Sequence, residues 1–360
     1  MRRPLIVTDQ GLNTLGFIDE LQSILARSQI ASSVFKDVIA DPPENVVLDA
    51  LALAVSEGAD GVIGIGGGSS MDCAKIIAVL LQSQKSDAGQ SLNDIYGVNK
   101  VKGSRSPLIL IPTTAGTGSE VTPIAIVTTG SSTKAGIVSQ KLIPDIALLD
   151  ASLSLDLPPH ITAATGIDAM VHAIEAYTGK LKKNPYSDLL AKEALVLLTN
   201  NIERACLHGK NVAARQSMLL GACYAGQAFA NSPVGAVHAL AYPLGGHFHI
   251  PHGLSNALML PHVIRFNNTH ACDLYAQLAA YVLPDFSVHT SPVKQAEKLA
   301  DYFVTLSKNL KLPTRLRTLD ITEDHLSMLA NDAMLQTRLL VNNPREVLYE
   351  DALRMYQQAY

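Results

Sequence analysis

Over the first 150 residues, short β-branched runs alternate with stretches whose apolar positions recur every three to four residues. RPLIVTD (3–9), SSVFKDVI (32–39), DGVIGIGG (60–67) and SPLILIPTT (106–114) read as strands. LGFIDELQSILARSQ (15–29), ENVVLDALALAVSEG (44–58) and SMDCAKIIAVLLQ (70–82) read as the helices between them. Strand and helix in strict alternation predict an α/β domain on a doubly wound, mainly parallel sheet. After DASLSLDLPPH (150–160) the strand signals fade and the periodicity becomes helical. ITAATGIDAMVHAIEAYTG, SDLLAKEALVLLTNNIERAC, VAARQSMLLGACYAGQAFA and HGLSNALMLPHVIRF lead this second part. A boundary near Leu157 divides the chain into residues 1–157, α/β, and residues 158–360, all-α.

Bulk composition narrows the function classes. Hydrophobic residues make up 48% and charged ones 17% of 360, enough apolar material for two cores. A net charge of −4 argues against a nucleic-acid partner. No apolar run is long enough for a bilayer and MRRPLIVTDQ lacks a secretory h-region, so no membrane role is expected. Cys73, Cys206, Cys223 and Cys272 show no metal-binding spacing and read as reduced thiols of a cytoplasmic chain.

Two turns carry candidate ligand chemistry. GIGGGSSMDCAK sets Gly66, Gly67, Gly68 and Ser69 between a strand and a helix. Bare glycines let backbone approach a ligand, and a helix start offers N–H groups and a positive dipole end that suit a pyrophosphate. A tight βα turn without a ligand is the plainer reading. Asp72 suits the first helical turn or a contact to the ribose or nicotinamide side. PTTAGTGSEVT (112–122) supplies Thr113, Thr114, Thr117 and Ser119 at a strand end, where an open α/β sheet binds ligands. Asp9 ends the first strand, where an acid accepts from ribose hydroxyls and disfavours a 2′-phosphate, which leans toward NAD over NADP.

The helical part holds the second kind of chemistry. In ATGIDAMVHAIEAYTG, Asp168, His172 and Glu175 share one stripe of an otherwise apolar helix. Asp168 and His172 stand at i and i+4, about 5–6 Å apart at Cβ, close enough for one metal ion or for a plain Asp–His hydrogen bond. Five of the eleven histidines, His238, His247, His249, His252 and His262, then crowd into VGAVHALAYPLGGHFHIPHGLSNALMLPH. Imidazoles in Gly, Pro and apolar surroundings with a carboxylate nearby suit Fe²⁺ or Zn²⁺ in a catalytic role. Residue chemistry alone does not choose among the five.

Taken together, GIGGGSSMD, PTTAGTGSEVT, ATGIDAMVHAIEAY and HALAYPLGGHFHIPHGLSNALMLPH resemble the successive motifs of the iron-dependent (group III) alcohol dehydrogenases, from Leu5 to the chain's end. The resemblance implies a dehydroquinate synthase-like fold. Residues 1–157 would bind NAD(P), residues 158–360 would bind metal, and a cleft would hold both. It implies Asp168, His172, His238 and His252 as metal ligands. For the cofactor it implies Asp9, Gly66, Gly67, Gly68, Ser69, Asp72, Thr113, Thr114, Ser119 and Lys134. His247, His249 and His262 then fall outside the ligand set, with His249 free to line the cleft. The family also implies a homo-oligomer.

Three departures from the family pattern bear on these expectations. The chain opens almost on RPLIVTD, where members carry further sheet and helix, so a β-hairpin edge is expected to be missing. Tyr242 stands where the lactaldehyde-reductase branch has a histidine proposed to assist proton transfer; a phenol titrates much higher, so a relay there differs or runs through water. Ile124 replaces a polar amide and, with Phe229, favours an aliphatic substrate. The expected activity is metal-dependent, NAD(P)-linked hydride transfer between a small aliphatic alcohol and nicotinamide. Alternatives within the fold are a maleylacetate reductase-like keto-acid reductase and a glycerol dehydrogenase-like zinc enzyme. Outside that class stand a non-catalytic NAD-binding regulator and a dehydroquinate synthase-like lyase. The intact ligand set disfavours the regulator. The scarcity of Lys and Arg near the helical motifs disfavours the lyase.

Overall fold

The alternation of strand and helix builds a sheet with both faces covered. A computed structural model describes residues 1–85, 89–130 and 133–360 of the chain. It divides into two compact units, Met1–Thr114 with Ser119–Ser154, and Ala115–Gly118 with Leu155–Tyr360.

In the first unit the strands are β1 (Pro4–Asp9), β2 (Ser33–Val38), β3 (Gly61–Gly66), β4 (Gly97–Val98), β5 (Leu108–Pro112), β6 (Ile124–Thr129), β7 (Thr133–Val138) and β8 (Ile146–Ala147). Five of them form an all-parallel sheet in the order β2-β1-β3-β5-β8. Successive side chains point to opposite faces, and here both faces are dry. Leu5, Val7, Val62 and Leu108 enter one core with the helices Glu44–Ser56 and Gly68–Gln84. Ile6, Ile63, Ile65 and Ile111 enter the other, capped by Ile18 of the helix Phe17–Arg27. Strand order reverses between β1 and β3, so the carboxyl ends of those two strands flank the sheet's switch point.

A second sheet, β4-β7-β6, contains an antiparallel hairpin of β6 and β7, for which the strand pattern of the first 114 residues gives no counterpart. Ala125, Val127 and Ile137 are its buried positions. Its strands, IAIVTT and TKAGIV, are six residues each, as long as β1 and β3, but the second mixes Lys, Ala and Gly, residues depleted in strands.

The second unit is helical. The helix Pro159–Thr178 buries 16 of its 20 residues, so its polar side chains are necessarily inside. Proline at its first turn suits a helix start. Arg215 is buried and clamps that entry: its guanidinium donates to Thr162 Oγ1 at 2.6 Å, Leu157 O at 3.0 Å and Gly209 O at 2.9 Å. Around it lie the helices Pro185–Leu207, Val212–Asn231, Ala236–Phe248 and His252–Val282. Gly166 lets two of these come close, since a Cβ there would sit 2.7 Å from Met218 and 2.8 Å from Ile202. Among the described residues, no helix is long and apolar enough to cross a membrane.

Candidate metal centre and nucleotide loop

Three helices of the second unit deliver four candidate ligand atoms to one point. Asp168 and His172 come from Pro159–Thr178, His238 from Ala236–Phe248, and His252 from the first residue of His252–Val282. His172 Nε2, His238 Nε2 and His252 Nε2 stand 3.9, 3.9 and 3.7 Å from Asp168 Oδ1. The set lies within 4.8 Å throughout. Asp168, His172 and His238 are buried, while His252 is the exposed member. Donors about 2.0–2.2 Å from a common ion stand apart by distances of this order, and one carboxylate with three imidazoles is a donor set for a first-row divalent cation. The residues fit the group.

Local packing explains the convergence. Gly253 follows His252 because any Cβ there would meet the Ala164 carbonyl at 2.4 Å, so the two helices cross backbone to backbone beside the ligands. His172 stacks between rings, 4.4 Å from Phe229 and 4.7 Å from His238. Burial pushes the His172 imidazole down to about 3 despite the pull of Asp168, with His238 and His252 adding to the push, so its ring is neutral near neutral pH. Burial alone would raise the Asp168 carboxyl. The imidazoles of His172, His252 and His238 and the Asn256 amide outweigh it and hold Asp168 below the ordinary carboxylate range.

Two further residues belong to this centre and were given no role from sequence. Glu175 Oε2 lies 2.6 Å from His238 Nδ1, and its Oε1 accepts the Val237 N–H at 2.7 Å. Asn256 Nδ2 donates to Asp168 Oδ1 at 2.6 Å and lies 3.2 Å from both His238 Nε2 and His252 Nε2. The signal for Glu175 was its place on the Asp168 stripe. For Asn256 it was its i+4 spacing from His252.

The remaining candidates fall around or away from the four ligands. The Tyr242 ring is 5.9 Å from that of His252. His249 caps its helix in the left-handed region, φ 53°, and is exposed. His247 is exposed and pairs with Asp332. His262 is partly buried, and burial with Arg265 and Arg315 nearby lowers it to about 4.

In the first unit, the nucleotide candidates gather at the carboxyl edge of the parallel sheet. Asp9 ends β1 and accepts the Leu12 N–H at 3.0 Å. Gly66 ends β3 with φ 149°, and Gly67 precedes the helix Gly68–Gln84 with no side chain capping its start. A Cβ on Gly66 would strike Ser70 at 2.7 Å, whereas one on Gly67 would find Thr114 no nearer than 3.6 Å. Thr113 N–H donates to Gly66 O at 2.9 Å, which joins the two turns. Ser69 Oγ accepts the Asp41 N–H at 3.3 Å.

Asp72, Ser119 and Lys134 have protein partners. Asp72 accepts from Ser119 Oγ at 2.6 Å and from the Ile126 N–H at 3.0 Å, with Lys75 at 3.7 Å. Burial raises the Asp72 carboxyl in spite of these partners. Lys134 pairs with Asp41. Ile124 opens β6, and its carbonyl accepts from Lys75 Nζ at 2.7 Å. Within PTTAGTGSEVT the glycines also serve the helical unit: a Cβ on Gly118 would lie 2.5 Å from Gly226 Cα, and one on Gly116 would lie 2.8 Å from Thr165.

Comparison with known proteins agrees with this construction. Residues 1–151 match the family described as iron-containing alcohol dehydrogenase, and residues 162–360 match its C-terminal counterpart, Fe-containing alcohol dehydrogenase family, C-terminal. Long-chain-alcohol dehydrogenase 1 of Geobacillus thermodenitrificans is 38% identical over 356 residues, covering 99% of this chain and 89% of that protein. The solved alcohol dehydrogenase from Oenococcus oeni is 31% identical with a TM-score of 0.95, covering 100% of this chain and 93% of that one. A sulfoacetaldehyde reductase from Bifidobacterium kashiwanohense, solved in complex with NAD+, is 29% identical with a TM-score of 0.88, covering 100% and 91%. With both parts matched and close relatives aligned over nearly its whole length, this chain belongs to the iron-containing alcohol dehydrogenase family.

Proposed function

We propose that this chain is an NAD-linked, metal-dependent alcohol dehydrogenase that interconverts a small aliphatic alcohol and its carbonyl product. The observation that carries the reading is the convergence of one carboxylate oxygen and three imidazole nitrogens within 4.8 Å. When bound there, Fe²⁺ or Zn²⁺ would supply Lewis acidity to the alcohol oxygen, and a nicotinamide would accept or return the hydride.

The chain's own residues have definable parts in this. Asp168 is the one anionic donor among neutral imidazoles, so the site leaves a divalent ion with uncompensated positive charge for an oxygen ligand. The exposed side of His252 offers substrate a way in, and Tyr242 beside it is suited to hydrogen-bond a hydroxyl or a water. Phe229, packed on His172, favours an alkyl group over a charged one. This supports an aliphatic alcohol, with His249 as a further candidate for its pocket. Gly66, Gly67, Gly68 and Ser69 would take the pyrophosphate on a helix start, with Thr113 and Thr114 beside them. Asp9 would accept from ribose hydroxyls, and its charge favours NAD over NADP. Asp72, Ser119 and Lys134, which have protein partners, would shape the nucleotide loop.

The test is elemental analysis of anaerobically purified protein together with an NAD⁺-dependent panel of alcohols. Stoichiometric iron or zinc and turnover of short alkyl alcohols are expected. Turnover that survives complete metal removal would overturn the reading.

A further inference from the structure

Metal ligation by histidine requires one ring nitrogen to present a lone pair, so the other must carry the proton. His238 shows how the chain enforces this. Its Nδ1 is 2.6 Å from Glu175 Oε2, and the other Glu175 oxygen accepts the Val237 N–H at 2.7 Å. Both oxygens of a buried carboxylate are thereby committed to N–H donors. On the opposite side of the ring, Asn256 Nδ2, which can only donate, lies 3.2 Å from His238 Nε2. An acceptor behind Nδ1 and a donor before Nε2 specify the same tautomer.

We propose that Glu175 is the positioning residue of the metal centre: it fixes the proton of His238 on Nδ1 and turns Nε2 toward Asp168. Asn256 supports the same state from the ligand side. This rests on the functional reading above and adds to it the residue that prepares the ligand set. Behind Glu175 lies a tightly bonded polar pocket. Tyr275, Asn267 and Asn343 line a small cavity with Glu175 and Thr178. There Asn267 and Asn343 exchange amide hydrogen bonds at 2.9 and 2.8 Å, and Asn267 also donates to Tyr275 Oη at 3.1 Å. A reciprocal amide pair in the interior leaves these side chains little freedom, and it ties the C-terminal segment NNPR to the helix that bears Glu175's neighbours.

Glu175→Gln separates this role from mere packing. The amide is isosteric but has one acceptor. If its oxygen keeps the Val237 N–H, its NH₂ faces His238 Nδ1 and drives the proton to Nε2, where it blocks ligation. Chelator competition on the zinc-loaded protein should show Glu175→Gln losing metal roughly 10–100-fold more readily than the parent. The circular dichroism and the unfolding midpoint of the fully chelated forms should match. Independently of any variant, long-range ¹H–¹⁵N spectra of the histidine rings in the chelated parent, assigned with His238→Asn, should show His238 protonated at Nδ1. A chelated parent with His238 protonated at Nε2, or a Glu175→Gln protein with parental metal affinity, overturns the proposal. A parent that binds no divalent metal overturns the functional reading and this inference with it.

Discussion

At the scale of single residues, the four candidate ligands differ in how replaceable they are. His252 is the most exposed of them, so its loss leaves the smallest hole in the core. His252→Ala is therefore expected to fold, to lose most of its metal by elemental analysis, and to fall in kcat/KM by a hundredfold or more, on the order of what even outer-shell changes can cost. Full metal content and activity in that variant would refute the ligand assignment.

A second residue-scale expectation concerns Glu120, which is buried in the first unit near Lys75. Burial raises its carboxyl from 4.5 to about 7, only partly offset by its own backbone N–H and Lys75. The folded form thus holds this proton more tightly than the unfolded chain. Its contribution to stability is full below pH 4.5 and is lost as pH rises toward about 7. Lys75, lowered by burial from 10.5 to about 8, acts in the separate window above that. Glu120→Gln should flatten the decline between those acidic limits, read as urea midpoints against pH. An unchanged slope would mean the carboxyl does not titrate there.

At the scale of elements, the Gly-rich turn offers a paired comparison. Gly66 has a positive φ and no room for a Cβ beside Ser70, whereas Gly67 has an ordinary φ and open space before Thr114. Gly66→Ala should cost about 1–3 kcal/mol of stability through backbone strain. Gly67→Ala should leave stability nearly intact and weaken NADH binding, measured by fluorescence titration, because its methyl occupies the line of approach to the helix start. Equal nucleotide affinity in Gly67→Ala and parent would remove the turn from the binding site.

On the scale of the whole chain, the candidate metal centre joins three helices drawn from residues 159 to 282. A ligand that binds only the folded form stabilises it by about 2.7 kcal/mol at a hundred times its dissociation constant. Chelation should lower the unfolding temperature of the helical unit, and Fe²⁺ or Zn²⁺ should restore it. A thermal midpoint indifferent to both would count against a resident ion.

Much of this was legible in the residues themselves. Continuous β-branched runs and 3.6-residue periodicity gave four of the five parallel strands and their helices, since each depends only on neighbours along the chain, whereas the two-residue β8 carries no such run. The antiparallel hairpin escaped because its second strand, TKAGIV, mixes Lys, Ala and Gly, residues depleted in strands. The residue types for metal binding, a carboxylate and a crowd of imidazoles, were likewise plain. Through-space selection was not: His247 and His249 are as near to His252 in sequence as any ligand, yet one turns to Asp332 and the other caps a helix at the surface. Family resemblance named the four ligands, but only the packed helices brought Glu175 and Asn256 against them. Ligation and tautomer are decided within a few ångströms of space, which periodicity along a chain does not encode. The sequence alone determined which chemistry was available, and the tertiary structure decided which atoms share it.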